Sequence, residues 1–165
     1  HRGLEERGEG GDGGAARWAS IELEIIPGVT AATAAAALVG APLGHDFCVI
    51  SLSDVLKPWE VVEGRLSAAA GADFVLALYN PISSQRPWQL GRALDLIGAH
   101  RRASTPVAVV KDVGRPAEWA EVVSLDSVPV EKIDMRTVLL VGSSTTRAFV
   151  SPVGRVWMYT PRRYP

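Results

Sequence analysis

The sequence has very little cysteine, no excess of charge of either sign and no long hydrophobic run. Its single cysteine, Cys48, excludes an internal disulfide and fits a reducing, cytoplasmic environment. The near balance of 17 basic and 18 acidic residues argues against a nucleic-acid-binding protein, which usually carries a strong basic excess. Because no apolar run reaches the roughly 18 residues of a membrane span, we expect no membrane partner. The first 20 residues hold no apolar h-region, so we also expect no signal peptide.

The composition of the 165 residues, 47% hydrophobic and 21% charged, is typical of a globular protein. Residues 1–20 differ from the rest, since six of the first fourteen are glycine, and we predict a flexible Gly-rich tail there. The segment from Gly8 to Gly13 matches the dinucleotide pattern G-x-G-x-x-G. In dinucleotide-binding proteins this motif joins a strand to a helix whose N-terminus binds the phosphates. No strand precedes the motif here, so we interpret the match as accidental.

From Ile21 onward, apolar runs with strand patterns alternate with helical ones. Turn residues such as Pro27-Gly28 separate them. Helices are predicted at 31–39, from Pro58 to Gly71 and from Pro87, and strands at 21–26, 47–51, 73–79, 106–113, 119–125, 137–142 and 155–159. Helices between strands imply crossover connections, so the fold class is α/β with a mixed, mostly parallel sheet and flanking helices.

Residues that could form a metal site or a hydrolase triad are not arranged to do so. None of the three histidines lies four residues from another, and Cys48 has no partner at ligand spacing, so we expect no metal. His45 and Asp46, with Ser51 and Ser53 nearby, lack the strand-turn-helix motif of a nucleophilic serine. We interpret them as polar turn residues.

Three strand ends offer better candidate binding positions. Pro27 to Ala31 forms a strand-turn-helix junction, with Thr30 either a simple N-cap or part of a seat for a polar ligand. The pair Tyr79-Asn80 closes a buried strand, where open α/β sheets tend to bind ligands. The hydroxyl-rich run from Ser143 to Arg147 can hold an acidic group or form a solvated turn. A carboxylate-rich substrate would suit a cleft in which several nearby cations converged: Lys57, Arg86, Lys111, Arg115 and Arg147.

Four longer runs carry a family resemblance. They are EIIPGVTAATAAAALVGAPLGHDFCVISLSD (24–54), PWEVVEGRL (58–66), ADFVLALYNP (72–81) and TVLLVGSSTTR (137–147). These runs resemble the tetrapyrrole methylase family of corrin biosynthesis, and within it the branch of precorrin-3B C-17-methyltransferases. The resemblance implies two α/β domains with S-adenosylmethionine in the cleft between them, usually in a homodimer. It also implies methyl transfer to C-17 of a tetrapyrrole (precorrin) substrate, coupled to ring contraction.

The resemblance also suggests roles for individual residues. The segments that match the cofactor-contacting parts of the family contain Thr30, Ala31, Tyr79, Asn80, Val113 and Thr137. The SLSD run, with Ser51, Ser53 and Asp54, is expected to face the tetrapyrrole, and Ser53 and Asp54 are the catalytic candidates. We hypothesise that Asp54 handles a proton during ring contraction. A methyl sulfonium already has a good leaving group, so catalysis of this kind depends mainly on positioning.

The sequence departs from the family before Ile21, where nothing resembles the usual G-x-G-P-G-D loop or the second GDP-containing loop. We therefore expect a truncated form, with a tail (1–20), a remnant strand and helix of the first domain (21–43) and the second α/β domain (44–165). The remnant should be poorly packed or re-docked on the second domain. Two alternatives stay open, namely another methylase of the corrin pathway and a non-catalytic α/β fragment.

Overall fold

A computed structural model describes residues 21–164, so the predicted tail lies outside the described residues. In chain order the elements are α1 (Ala31–Val39), β1 (Gly40–Ala41), β2 (Phe47–Ser51), α2 (Trp59–Gly71), β3 (Val75–Tyr79), α3 (Gln89–Gly98), β4 (Pro106–Lys111), β5 (Trp119–Ser124), β6 (Thr137–Val141), β7 (Arg147–Val150) and β8 (Val156–Tyr159). Two short 3-10 turns, Leu125–Ser127 and Val130–Lys132, connect β5 to β6. The predicted α/β class and most element bounds are confirmed.

A five-stranded sheet with the order β2-β3-β6-β4-β5 forms the centre of the fold. The predicted mixed sheet is confirmed, but its mostly parallel character is wrong. In this sheet β2 and β3 run parallel, whereas the β3–β6, β6–β4 and β4–β5 pairs are all antiparallel. A short turn joins β4 to β5, which are antiparallel neighbours and need no crossover helix. The connection from β5 then places β6 on the other side of β4, between β3 and β4, where it runs antiparallel to both.

The two faces of this sheet pack against different helices. Leu76 and Leu78 of β3 belong to the core formed with α2 and α3. Ala77 and Tyr79 alternate to the opposite face, which α1 covers. The buried residues of α1 are small, namely Ala32, Ala35, Ala36 and Val39. Their size allows the helix to lie close to the sheet, as its alanine-rich sequence predicts.

A second, three-stranded sheet has the order β1-β8-β7 and attaches the end of α1 to the last strand of the chain. Its strands β1 and β7 were not predicted from the sequence. All four residues of β7 are exposed, so this strand carries no inward-facing apolar pattern that could reveal it. Gly40 pairs with Met158 across the β1–β8 ladder.

The strand predicted at 21–26 is wrong. Residues 21–30 adopt no regular structure, and Leu23 and Ile25 are 80% and 85% exposed. An alternating apolar pattern stabilises a strand only when a sheet edge pairs with it, and this segment has no strand partner among the described residues. The segment is thus poorly packed, whereas the following helix α1 docks on the central sheet. The division into a 21–43 remnant and a 44–165 domain stays a prediction.

Candidate active site

The carboxyl ends of β2, β3 and β4 and the start of β6 meet at one edge of the central sheet. Lys111 at the end of β4 pairs with Thr137 at the start of β6, and Leu78 near the end of β3 pairs with Leu139. The N-terminus of α1 lies over the same edge, because the Tyr79 hydroxyl contacts its first turn. The helix therefore begins over an edge at which four strands end or start.

A cavity of about 420 Å³, which we call the α1 cavity, opens beside this helix start. Three of the predicted cofactor-binding residues line it, with Thr30 and Ala31 on the helix side and Val113 on the β4 side. Apolar side chains complete much of its wall: Val110, Met135 and Val138. An apolar wall beside a helix N-terminus suits a ligand that has both a flat apolar part and a polar or charged part.

The first turn of α1 is capped by two side chains. The Thr30 hydroxyl accepts a hydrogen bond from the Thr33 N–H at 3.2 Å, which confirms its reading as an N-cap. The Tyr79 hydroxyl accepts from the Ala32 N–H at 2.7 Å, so β3 holds the helix start in place. Thr30 therefore caps the helix and also lines the cavity, so its role as an N-cap is compatible with a role in ligand binding. Tyr79 supports the cavity without lining it.

Replacing Tyr79 with phenylalanine should lower the free energy of unfolding by about 1 kcal/mol, because the Ala32 N–H loses its acceptor. Urea denaturation of both proteins measures the difference. Tyr159→Phe is the matched control, since no hydrogen bond of the Tyr159 hydroxyl is found within residues 21–164. That change should stay within about 0.5 kcal/mol. Equal effects of the two substitutions would contradict the role given to Tyr79.

Asp112 is a cavity residue that sequence reasoning missed. Its side chain is 2% exposed, and its φ of 53° lies in the left-handed region. Arg136 Nη1 lies 3.2 Å from Oδ2, yet neither carboxylate oxygen receives a directed hydrogen bond within the described part of the chain. A buried carboxylate in a strained backbone conformation is uncommon outside functional sites. The only local signal was the polar turn that follows the β4 apolar run.

Thr137 does not line the α1 cavity, although it lies at the same sheet edge. It is 2% exposed, and its hydroxyl lies 3.3 Å from Asp134 Oδ1, to which it donates. Lys111 Nζ lies 2.8 Å from the other oxygen of Asp134. Partial burial acts to raise the pKa of Asp134, but the hydrogen bonds and charges of Lys111 and Arg136 outweigh it and lower that pKa.

This lowered pKa predicts a pH-dependent contribution to stability. A carboxylate whose pKa is lower in the folded chain stabilises it above the unfolded value, about 3.9, and loses that effect as the pH falls through the folded value. We expect Asp134→Asn to destabilise the protein at pH 7 by less than about 1 kcal/mol, because the side chain is 41% exposed. The difference should shrink below about pH 4. Urea denaturation at pH 7 and pH 3.5 tests it, and a gap that is constant or widens in acid would contradict it.

A second group of polar residues lies near the same edge, where β2 and β3 end, and reaches the start of α3. We call it the Asp54 cluster, and it comprises Ser51, Asp54, Asn80, Arg86 and Gln89. Asn80 Nδ2 donates to Ser51 Oγ at 2.8 Å, and Gln89 Nε2 donates to Asp54 Oδ2 at 3.0 Å. Arg86 Nη1 donates to the Asn80 carbonyl oxygen at 3.2 Å, and Arg86 Nε lies 4.0 Å from Asp54 Oδ1. The catalytic candidate Asp54 is thus held by two neighbours.

The Asp54 cluster and the α1 cavity approach each other at Met135. Arg86 Nη2 lies 3.1 Å from Met135 Sδ, and Met135 also lines the α1 cavity. Ser53, the other catalytic candidate, contributes its carbonyl oxygen, which accepts from Lys57 Nζ at 3.1 Å. Asn80 belongs to the cluster, and this predicted cofactor residue does not line the α1 cavity.

The cations expected to converge do so only in part. Arg86 belongs to the Asp54 cluster, Lys57 borders it through Ser53, and Arg115 lines the α1 cavity. Lys111 is paired with Asp134 instead. Arg147 begins β7 of the second sheet and does not line the α1 cavity. Within residues 21–164, no three His, Cys, Asp or Glu side chains are grouped to hold a metal, and no helix is long and apolar enough to cross a bilayer.

Known proteins are similar in sequence to this chain over most of its length. A precorrin-3B C(17)-methyltransferase from a Sinorhizobium species is 52% identical over 93% of this chain and 60% of its own length. A probable cobalt-factor III C(17)-methyltransferase from Salmonella typhimurium is 49% identical over 87% of this chain and 58% of its own. The chain therefore spans about 60% of the length of the curated relatives it matches first.

The fold is shared as well. The crystal structure of the methyltransferase CobJ superposes with a TM-score of 0.79 at 46% identity, covering 88% of this chain and 59% of that one. A uroporphyrin-III-C-methyltransferase from Thermus thermophilus superposes with a TM-score of 0.53 at 28% identity, covering 78% and 54%. Residues 14–129 match the family of Tetrapyrrole (Corrin/Porphyrin) Methylases. On this match and these relatives, the chain belongs to the tetrapyrrole methylases.

Proposed function

We propose that this chain forms part of an S-adenosylmethionine-dependent methyltransferase that acts on C-17 of a tetrapyrrole in cobalamin biosynthesis, with ring contraction. The observation that carries the proposal is the convergence of Thr30, Ala31 and Val113 on one cavity beside a helix start. The names of the relatives support the ring position, and they include both precorrin-3B and cobalt-factor III enzymes. A metal-free and a cobalt-containing macrocycle are thus both members of the proposed substrate class.

The lining of the α1 cavity fits the methyl donor. Val110, Met135 and Val138 offer an apolar wall for a flat base. Arg115 and Arg136 at the same cavity can bind a carboxylate, and the buried Asp112 places a negative charge near any bound cation. When bound, the donor supplies a methyl group on a positively charged sulfur. The protein's task is then to hold that group in line with the reacting carbon, and the rigid attachment of α1 to Tyr79 serves this purpose.

In the same proposal, the Asp54 cluster faces the tetrapyrrole. Arg86 and Lys57 offer two cations to the carboxylate side chains of such a macrocycle. Asp54, with a side chain that is 29% exposed, is available to accept or return a proton at Oδ1 while Gln89 holds Oδ2. Ser53 precedes Asp54, accepts from Lys57 through its carbonyl oxygen, and completes the substrate-facing run. A homodimer is part of this proposal, by analogy with the family.

Calorimetry with S-adenosylhomocysteine tests the cofactor part of the proposal. We expect measurable binding to the unmodified chain, and Thr30→Ala should weaken it about fivefold, which corresponds to the loss of one hydrogen bond's contribution. Thr30→Ser keeps the hydroxyl and is the matched control, so its affinity should stay within about twofold. Absence of heat at millimolar ligand would favour the non-catalytic alternative. Equal affinity of Thr30→Ala and the unmodified chain would remove Thr30 from the site.

A further inference from the structure

A second polar cavity, of about 300 Å³, lies at the opposite edge of the central sheet from the α1 cavity. It is enclosed by the turn before β4 and the turn between β6 and β7, and we call it the arginine cavity. Its polar lining includes Arg102, Ser104 and Thr105 from the first turn and Ser143, Thr146 and Arg147 from the second. Strands of five or six residues separate the two cavities, which corresponds to about 17 Å.

Within residues 21–164, the two arginines of the arginine cavity form no ion pairs. Arg102 and Arg147 are exposed, and neither forms an ion pair with any residue of the described range 21–164. The acidic residues of adjoining segments are already engaged. Asp73 pairs with Arg101 and accepts from the Ser144 N–H and hydroxyl, and Asp126 accepts from the hydroxyls of Ser124 and Ser127. Two guanidinium groups therefore border one small cavity, and no carboxylate of residues 21–164 forms an ion pair with either.

The base of this cavity is rigid. A relay of hydroxyl groups runs inward from Thr146 to Thr160 at 2.8 Å and from Thr160 to the Pro42 carbonyl oxygen at 2.6 Å. The Ser143 N–H donates to the Thr146 hydroxyl at 2.8 Å and closes the turn. Thr146 is thus tied into the core, and Arg147 follows it directly. A cation held on an ordered turn loses little conformational freedom when it binds a ligand.

Hydrogen-bond donors remain available at the other wall. Thr105 is 6% exposed. Its N–H donates to the Arg102 carbonyl oxygen, and its own carbonyl oxygen accepts from the Leu125 N–H. Within residues 21–164, no hydrogen bond engages the hydroxyls of Ser104 and Thr105. The cavity thus combines two guanidinium groups with two free hydroxyl donors, which is the chemistry that phosphate oxygens require.

We propose that the arginine cavity binds a phosphate group, held by Arg102 and Arg147 from its two walls. Its volume fits a free phosphate ion or the phosphate end of a larger molecule and is too small for a tetrapyrrole macrocycle. The site lies away from the α1 cavity and the Asp54 cluster, so it is independent of the proposed methyl transfer. It adds a binding function at the far edge of the sheet.

A nuclear magnetic resonance titration of the ¹⁵N-labelled chain with inorganic phosphate, at constant ionic strength set by chloride, tests this proposal. We expect saturable shifts of the backbone amides in the two turns 102–106 and 143–148, with a Kd on the order of 1 mM. Phenyl phosphate distinguishes an ester from the free ion, because tighter binding of the ester indicates that the cavity receives the end of a larger molecule. Acetate should produce no saturable shift below about 20 mM, since a single carboxylate offers fewer acceptor oxygens.

Variants identify the residues that hold the phosphate. Arg102→Gln and Arg147→Gln should each raise the Kd at least about fivefold, whereas Arg65→Gln, at an exposed position on α2, should leave it within about twofold. Unchanged amide positions outside the two turns report that each variant is folded. Shifts that rise linearly without saturation, or that are equal in all three variants, would overturn the proposal. The calorimetric test with S-adenosylhomocysteine is separate, so failure of one site is distinguishable from failure of the other.

Discussion

Replacing Arg101 with methionine should lower the free energy of unfolding by about 3–5 kcal/mol, one of the largest losses expected for a single substitution in this chain. The Arg101 side chain is 2% exposed and lies 3.2 Å from Asp73 Oδ1. Its guanidinium donates to the carbonyl oxygens of Ala70 (2.7 Å), Phe74 (3.0 Å) and Gly142 (3.1 Å). Burial lowers the pKa of Arg101, and the Asp73 charge opposes this. Without the guanidinium, Asp73 loses its charge partner and three carbonyl groups lose a donor.

The loss is measurable by urea denaturation at pH 7, with the neighbouring Arg102→Met as the control. Arg102 is exposed and has no ion pair within residues 21–164, so its replacement should change the free energy of unfolding by less than about 0.5 kcal/mol. A domain is stable by only about 5–15 kcal/mol, so Arg101→Met would remove a large share. A loss below about 1 kcal/mol would show that water replaces the guanidinium at these carbonyl groups.

Gly40→Ala should destabilise the chain by about 3 kcal/mol, because backbone strain and a steric clash act together. The φ of Gly40 is 128°, which side-chain-bearing residues rarely adopt. A Cβ atom there would lie 2.5 Å from the Met158 carbonyl oxygen, which is a backbone atom of β8 and cannot turn away. The β1–β8 pairing should break, and the C-terminal end of α1 would lose its attachment to the three-stranded sheet.

Gly64→Ala is the matched control for this second prediction. Gly64 lies at an exposed position within α2, and a Cβ atom added there meets no atom within 4 Å. The same substitution should therefore stabilise the protein by about 0.5–1 kcal/mol, since alanine favours a helix over glycine. Thermal unfolding followed by circular dichroism measures both variants. Opposite signs are expected, and a neutral Gly40→Ala would show that β1 is not required to hold α1.

Elements with a strong local signal were predicted well from the sequence. The helix Ala31–Val39 and the strand Phe47–Ser51 have the predicted bounds. A threonine cap and the stop residues Gly40 and Pro42 mark the helix, and turn residues flank the strand. The segment 21–26 shows the limit of such signals. Its alternation of apolar and charged residues is typical of a strand, but a strand also needs a partner that no local pattern supplies.

The candidate site likewise contains residues that the sequence predicted and residues that it did not. Thr30 and Ala31 were predicted because a hydroxyl residue at a helix start is visible in the sequence, and they line the α1 cavity together with Val113. Thr137 occupies the predicted sheet edge, but its hydroxyl is used by Asp134. Asp112 was not predicted as a site residue. Its burial depends on packing against α1 and the first residues of β6, and not on its neighbours in sequence.

The sequence by itself determined the α/β class, most helices and strands, the helix cap at Thr30 and the resemblance to the tetrapyrrole methylases, because these depend on residues close together in the chain. Tertiary structure alone decided the antiparallel insertion of β6 between β3 and β4, the burial of Arg101 and Asp112, and the presence of Arg102 and Arg147 at one cavity. Each of these depends on contacts between segments far apart in sequence. Strand direction and side-chain burial are properties of such contacts, which local patterns do not encode.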